Sequence, residues 1–382
     1  MASPATVASS VPPSLSLPPS QFARLQPHAY LLAHLSPPPA SNQPSVRANG
    51  RATSQFRVTS ANAGSLTHTN GSAVVRIGDT AAVCGVRAEL LYTDDIASWS
   101  VSESSSATNS NSDDASAKIE EERSHIEDLN LLVPNLSLST GCAPGFIPSA
   151  PPSALAQSLS HQILSLLHST RLVNADDLRI WYQPPSLEDS ENNEMDVDGG
   201  DKERQPREIK AFWVLYIDIM IISLAGNAFD AAWASVLAAL RDTKLPKAWW
   251  DVDNEAILCS EDINEAHKLS LRGMPIPSSF CVFEADAAAA WRAVVIPDAE
   301  QLNAEKQKKG SQTRWILADP DGYEEGLTQE KACVVVDKEN GKTVVLKLEK
   351  LGGWTVDTED LRQLIDISGS RWDEMNQILG QC

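Results

Sequence analysis

The sequence has no apolar run long enough to cross a bilayer. The longest, Ala211 to Ala225, falls short of the roughly 20 residues a spanning helix needs and contains Asp218. Prolines interrupt the N-terminus before any leader-like stretch develops, so no secretory signal and no membrane partner are expected. There is no Cys-x-x-Cys pair. Cys84, Cys142, Cys259, Cys281, Cys333 and Cys382 stand apart, without clustered histidines, which excludes a zinc finger pattern and a disulfide framework and predicts reduced, buried thiols. No glycine-rich phosphate loop, HExxH, GxSxG or kinase signature is present, and no cofactor or metal site is expected. Basic charge is scarce too: 31 Lys and Arg face 51 Asp and Glu, for a net charge of −20. That balance argues against a free-standing nucleic-acid binder, and the whole describes a soluble intracellular protein.

What is present is unevenly spread. Val101 to Asp128 carries eight acids and two bases, and Ser186 to Arg207 eight acids and three bases, so these stretches hold −11 of the −20. Between Pro44 and Ala88, Arg47, Arg51, Arg57, Arg76 and Arg87 face Asp79 alone. The apolar share of 42% is enough for a real core. The Pro/Ser-rich residues 1–20 are expected to be disordered, and residues 21–382 to form one domain. That domain carries acidic insertions at about 98–125 and 186–208 and a polar loop at about 298–313.

Hydrophobic spacing gives the elements. Phe22, Leu25, Tyr30, Leu31 and Leu35 form one short helical face ending before Pro37. Ala73, Val75 and Ile77 alternate as a strand, Gly78-Asp79 supplies a turn, and Ala82 to Leu90 returns. The Ser/Asn run from Ser98 to Ser112 reads as an elongated hairpin loop. Ser153 caps an amphipathic helix bearing Leu155, Leu159, Ile163, Leu166 and Leu167, and Leu178 to Tyr182 is a short strand. Ala211 to Leu224 suits a central strand buried on both faces, and Asn227 is placed to cap a helix with Phe229, Trp233 and Leu237 on its apolar face. Strands then follow near Ser279–Glu284, Trp315–Ala318 and Lys331–Val336, with an Asn340-Gly341 turn into Thr343–Leu348. A last helix opens at Thr358. Two rounds of hairpins and helices around a central strand predict an α+β fold with an internal pseudo-repeat.

An opening stretch and four later ones, in order, carry a family resemblance. Arg47-Ala48-Asn49-Gly50-Arg51 with Phe56-Arg57 and Gly71-Ser72-Ala73 through Gly78-Asp79-Thr80 resembles the opening of RNase PH-type domains, which read R-x-D-G-R, a further Arg, then G-S-A and G-[ND]-T. Phe212 to Asp218, Gly226 to Ala232, Asp319 to Glu325 and Leu351-Gly352-Gly353 resemble landmarks of the family's eukaryotic exosome branch. The resemblance covers about Phe22 to Leu379. It implies the β-α fold of the ribosomal protein S5 domain 2-like type. It also implies a place in a hexameric ring of RNase PH-like exosome subunits, contacts with S1/KH-type cap subunits and RNA, and a role in 3′-to-5′ RNA processing in nucleus, nucleolus and cytoplasm.

The phosphorolytic members of the family attack RNA with inorganic phosphate, so cations must clamp two anions while carboxylates serve a metal or a general acid. Their phosphate loop resembles G-G-T-R-T. The matching stretch here, Ala225 to Phe229, has Ala228 in the arginine's place. The family's D-x5-D pair falls on Asp319 and Glu325, one methylene longer at the second position. The resemblance therefore implies a ring subunit without catalytic residues; an active phosphate-dependent exoribonuclease is the alternative, and a scaffold that never touches RNA is a third. Arg47, Arg51, Arg57, Arg76 and Arg87 are candidate RNA contacts or, equally, anchors for loops and partner carboxylates. Asp218 reads better as a structural carboxylate paired with a neighbouring arginine or a backbone amide than as a buried catalytic acid, and Asp230 as a helix-start acid. Trp249 and Trp250 read as core or subunit contacts ahead of RNA-stacking groups.

Overall fold

The computed structural model describes residues 18–37, 44–97, 99, 125–147, 151, 153–183, 207–285, 314–339, 341–353 and 356–382. Residues 1–17, nearly all of the two acidic insertions, the polar loop at 298–313 and Asn340 of the expected turn lie outside them.

Two sheets carry the fold. In the first, β1 (Thr59–Ala63), β2 (Gly71–Ile77) and β3 (Thr80–Tyr92) run antiparallel into the long β6 (Glu208–Ser223). β4 (Leu132–Leu138) joins β6 in parallel and β5 (Arg179–Tyr182) joins it antiparallel. The second sheet is antiparallel, in the order β12 (Arg314–Ala318), β11 (Ile276–Glu284), β13 (Glu330–Glu339), β14 (Lys342–Leu351). Two ribbons stand apart, β7 (Lys244–Leu245) with β10 (His267–Lys268) and β8 (Ala248–Asp251) with β9 (Ala256–Cys259).

The β2–β3 hairpin forms where the alternation placed it. Ala73, Val75 and Ile77 point into the core, and Gly78 turns the chain at φ +57°, a conformation glycine adopts without steric cost. The middle of β6, Ala211 to Leu215, is buried on both faces, as a central strand should be. Beyond it burial alternates, and Met220 and Ile222 face solvent because only one side of the sheet is covered there.

Helix α1 (Pro19–Leu25) and α2 (Pro27–Leu35) replace the single N-terminal helix expected. Pro27 lacks an N–H and disfavours a helical residue before it, so the chain breaks at Gln26. Pro19 and Ser20 belong to α1 although the disordered stretch was expected to reach residue 20; proline is well suited to a first helical turn. Leu31 and Leu35 of α2 are buried with Phe283, Trp315 and Leu317 of the second sheet. Helix α3 (Ala154–Thr170) packs on β4 and is capped by Ser153, whose Oγ accepts from Ala156 N. Helix α4 (Ala228–Asp242) packs on the first sheet and reaches β11 of the second. Its Trp233 is wholly buried and donates its indole N–H to Pro275 O at 2.7 Å. Helix α5 (Gly322–Leu327) is one short turn after β12, and α6 (Thr358–Gly380) lies across β13, β11 and β1.

All six cysteines are free, but only Cys84, Cys142 and Cys281 are buried; Cys333 is partly covered and Cys259 and Cys382 are exposed, against the expectation that all would be buried. Cys382 is close to a chain end and Cys259 sits at the end of a two-stranded ribbon, where little protein is available to cover them. No helix of the described residues is long and apolar enough to cross a membrane.

Candidate functional site

The loop after β12 gathers most of the residues that the motifs singled out. Asp319 occupies the left-handed region at φ +49°, a strained conformation for a residue with a Cβ, and is wholly buried. Two residues on, Asp321 caps α5 by accepting from Tyr323 N at 3.0 Å and Glu324 N at 2.9 Å, while Glu324 accepts from Asp321 N at 3.0 Å. This reciprocal capping box turns Glu324 inward.

Three arginines from the Arg47–Arg57 segment close on these two carboxylates. Arg47 donates from Nε to Glu324 Oε1 at 2.7 Å and from Nη2 to Glu324 Oε2, and its Nη1 reaches Ala318 O at 2.6 Å. Arg57 forks onto Asp319, with Nε to Oδ2 at 2.9 Å and Nη2 to Oδ1 at 2.7 Å, and also bonds the carbonyls of Ala225 and Gly226. Arg51 donates to Asp319 O at 3.1 Å and lies 3.5 Å from its Oδ2. Burial pushes the Asp319 carboxyl upward, but the Arg57 hydrogen bonds and charge outweigh it and hold it at about 2.

Asn227 sits at the helix-capping position expected of it but makes no capping bond. It is left-handed at φ +51°, and its Nδ2 donates to Asp230 Oδ2 at 2.7 Å and Asp319 Oδ1 at 2.8 Å. Just before it the chain passes close to the start of α5: Gly226 is at φ +91°, and a Cβ there would run into the backbone of Asp321 and Gly322. Asp230 accepts from Ser279 Oγ at 2.7 Å and Ser279 N at 3.1 Å. Burial raises its carboxyl to about 6, with the Asn227 and Ser279 bonds pulling the other way.

Above this network lies a cleft of about 280 Å³ whose walls include Leu159, Ala228, Phe229, Glu325, Lys331 and Glu349. Ala228 and Glu325 therefore meet at one cleft, while Asp319 lies beneath, tied to it through Asn227. Asp319 and Glu325 have different partners: Arg57 forks onto the first, and Lys331 Nζ lies 3.5 Å from the second. The lining holds one lysine and two glutamates, so it offers a phosphate no net positive charge.

The five arginines separate. Arg47 is 0% exposed, which corrects its reading as an RNA contact, since every donor is aimed into the protein. Arg51 and Arg57 act as loop anchors in the same knot. Arg76 and Arg87 lie elsewhere, exposed, with Arg76 on Asp79 at 3.2 Å and Arg87 on Asp218 at 3.1 Å. Asp218 thus has the arginine partner foreseen for it, on the open face of the first sheet. Trp250 packs against the core and Trp249 does not. Glu324 was missed by sequence reading, although its spacing from Asp321, D-x-x-E, carries the capping-box signal.

The arginines thus tie the chain's first motif to the Asp319–Glu325 stretch, and the cleft opens at Asn227, Ala228 and Phe229 of the Ala225–Phe229 stretch. The model of the 3′ exoribonuclease family, domain 1, or RNase PH, matches residues 55–246, and the chain belongs to that family. Among its relatives is the exosome complex component rrp43 of Schizosaccharomyces pombe, 29% identical over 358 residues, which span 94% of this chain and 97% of that one. The exosome complex component Rrp42 of Thermococcus gammatolerans is 25% identical over 191 residues, 48% of this chain and 57% of the relative. Among solved structures, an Archaeoglobus fulgidus exosome with RNA bound to the active site superposes with a TM-score of 0.55 at 18% identity, over 92% of this chain and 96% of that one. This last likeness shows the RNase PH-like α+β fold.

Proposed function

We propose that the chain is a non-catalytic ring subunit of an RNA exosome core, supporting 3′-to-5′ processing and turnover of ribosomal and other RNAs through scaffolding and weak RNA contact. The observation that carries it is the cleft at the phosphate-loop position, where Ala228 supplies no cation, Lys331 is already beside Glu325, and the family's arginines are engaged with Asp319 and Glu324. Similarity to rrp43 along nearly the whole chain supports the exosome assignment. Its partners on this reading are the other RNase PH-like ring subunits, S1/KH-type cap subunits and RNA, in nucleus, nucleolus and cytoplasm. Arg76 and Arg87 remain as RNA contacts.

The second sheet supports a subunit role. Its edge strand β14 exposes Val344, Val345, Leu346, Leu348 and Leu351, an aggregation hazard unless another chain covers it. Obligate interfaces bury about 2,000 Å² or more. Expressed alone, the chain should self-associate by light scattering; co-expressed with another RNase PH-like exosome subunit, it should form a soluble heterodimer. A monodisperse monomer that binds no ring subunit at micromolar concentration overturns the assignment.

One observation favours a second reading, an active phosphate-dependent exoribonuclease: Lys331 is a cation in the cleft. Release of nucleoside diphosphates from single-stranded RNA, dependent on phosphate and lost in Lys331→Ala, would establish it. The ring-subunit reading expects no such release from either protein.

A further inference from the structure

The β8–β9 ribbon stands outside both large sheets, and its register fixes which side chains share a face. Trp250 pairs with Ile257 and Trp249 with Leu258. Strand alternation sends these two pairs to opposite sides. The inward pair is used by the fold: Ile257 is buried, and Trp250 packs against the core with Lys210 Nζ 5.6 Å from its ring centre. The outward pair is not, for Trp249 is 42% and Leu258 41% exposed. Val252 at the turn and Ile263 just past β9 are more exposed still, at 57% and 78%. None of these four residues lines the cleft or belongs to β14.

The charge around this apolar face narrows what can sit on it. From Lys244 to Lys268 the chain carries six acids and three lysines. Asp253, Glu255, Glu261, Asp262 and Glu265 are all exposed, and Lys247 is already turned to Glu265 at 3.6 Å. An acidic rim repels the phosphates of nucleic acid and the carboxylates of an acidic strand, and it attracts Lys and Arg. An exposed indole within such a rim is a favourable seat for a cation over its ring, and a leucine beside it accepts an apolar neighbour.

We infer that the outer face of the β8–β9 ribbon docks a basic segment of a protein partner, with one Lys or Arg over the Trp249 indole and an adjacent aliphatic or aromatic side chain against Leu258. The interaction is separate from RNA handling, because the same rim that selects a basic peptide turns RNA away.

The test uses the full chain, in its soluble heterodimer where that is needed, and three fluorescein-labelled peptides that share a Phe-Leu core flanked by lysines, by serines or by glutamates. Fluorescence anisotropy should show the lysine-flanked peptide binding at least about tenfold more tightly than the glutamate-flanked one. Raising salt should weaken it, as expected of an exposed charge rim. Trp249→Ser with Leu258→Ser should abolish the preference, and so should Asp253→Lys with Glu261→Lys, whose exposed positions leave the fold intact. Circular dichroism and co-elution with the ring partner verify that both variants are folded. Equal binding of all three peptides, binding unchanged in both folded variants, or displacement of the peptide by oligouridine would each overturn the proposal, the last by assigning the face to nucleic acid.

Discussion

Five arginines lie between Pro44 and Ala88, and the fold treats them in two ways. Arg47, Arg51 and Arg57 are buried or nearly so, each with a carboxylate or carbonyl from the β12–α5 loop. Arg76 and Arg87 lie in solvent beside Asp79 and Asp218. The difference is where the partner comes from. A carboxylate within a few residues or across a strand leaves an ion pair wet, and such pairs contribute about 0–1 kcal/mol. A carboxylate brought from the far end of the chain arrives with its own loop, excludes water and makes each charge dependent on the other. A buried pair need not stabilise relative to apolar residues of the same shape, but removing one partner leaves an uncompensated charge.

The largest effect expected follows from that asymmetry. Arg47→Ala should destabilise by about 3–5 kcal/mol in urea denaturation, since it strands Glu324 in the interior. A loss no greater than that of a surface arginine would dissolve the distinction between the two groups.

The next effects sharpen it by pH, because two neighbouring buried carboxylates move in opposite directions. Asp230 has its folded value raised to about 6 from 3.8, so the stability it contributes is fully present below about pH 4 and is lost as pH rises through 6. That loss is about 3 kcal/mol, and Asp230→Asn should remove this slope from the stability profile between pH 4 and 6. Asp319, held at about 2, contributes stability above pH 3.8 that disappears as pH falls through 2. Its share is about 2 kcal/mol, and Arg57→Gln should shrink the acid loss measured between pH 4 and 2. The smallest effect belongs to the surface: Arg76→Ala and Arg87→Ala should each change stability by about 0.5 kcal/mol or less, while weakening RNA crosslinking to the assembled complex if those side chains meet RNA.

Local signals in the sequence translated well. The Gly78-Asp79 turn, the Ser153 cap and the alternation of Ala73, Val75 and Ile77 each depend on neighbours a few residues away, and each stands where its pattern put it. The family motifs also located the cleft, with Ala228 and Glu325 on its wall. The fate of the arginines was not legible, since nothing near Arg47 in sequence announces Glu324. Asn227 misled for the same reason: Asp319, one of the two carboxylates that take up its side chain, lies 92 positions on. The two tryptophans of β8 differ in role through strand alternation, which a pair of adjacent identical residues cannot reveal without the pairing register.

The separation of Arg47 from Glu324 by 277 residues, and of Arg57 from Asp319 by 262, has a consequence in time. At roughly 5–20 residues per second the arginines leave the ribosome some tens of seconds before the carboxylates exist. Contacts of such span close slowly, so the knot cannot shut until that interval has passed, and α6, which reaches back to Thr59 across 312 residues, can dock only later still. A chain stopped before Arg314 would hold a complete first sheet and an open lock.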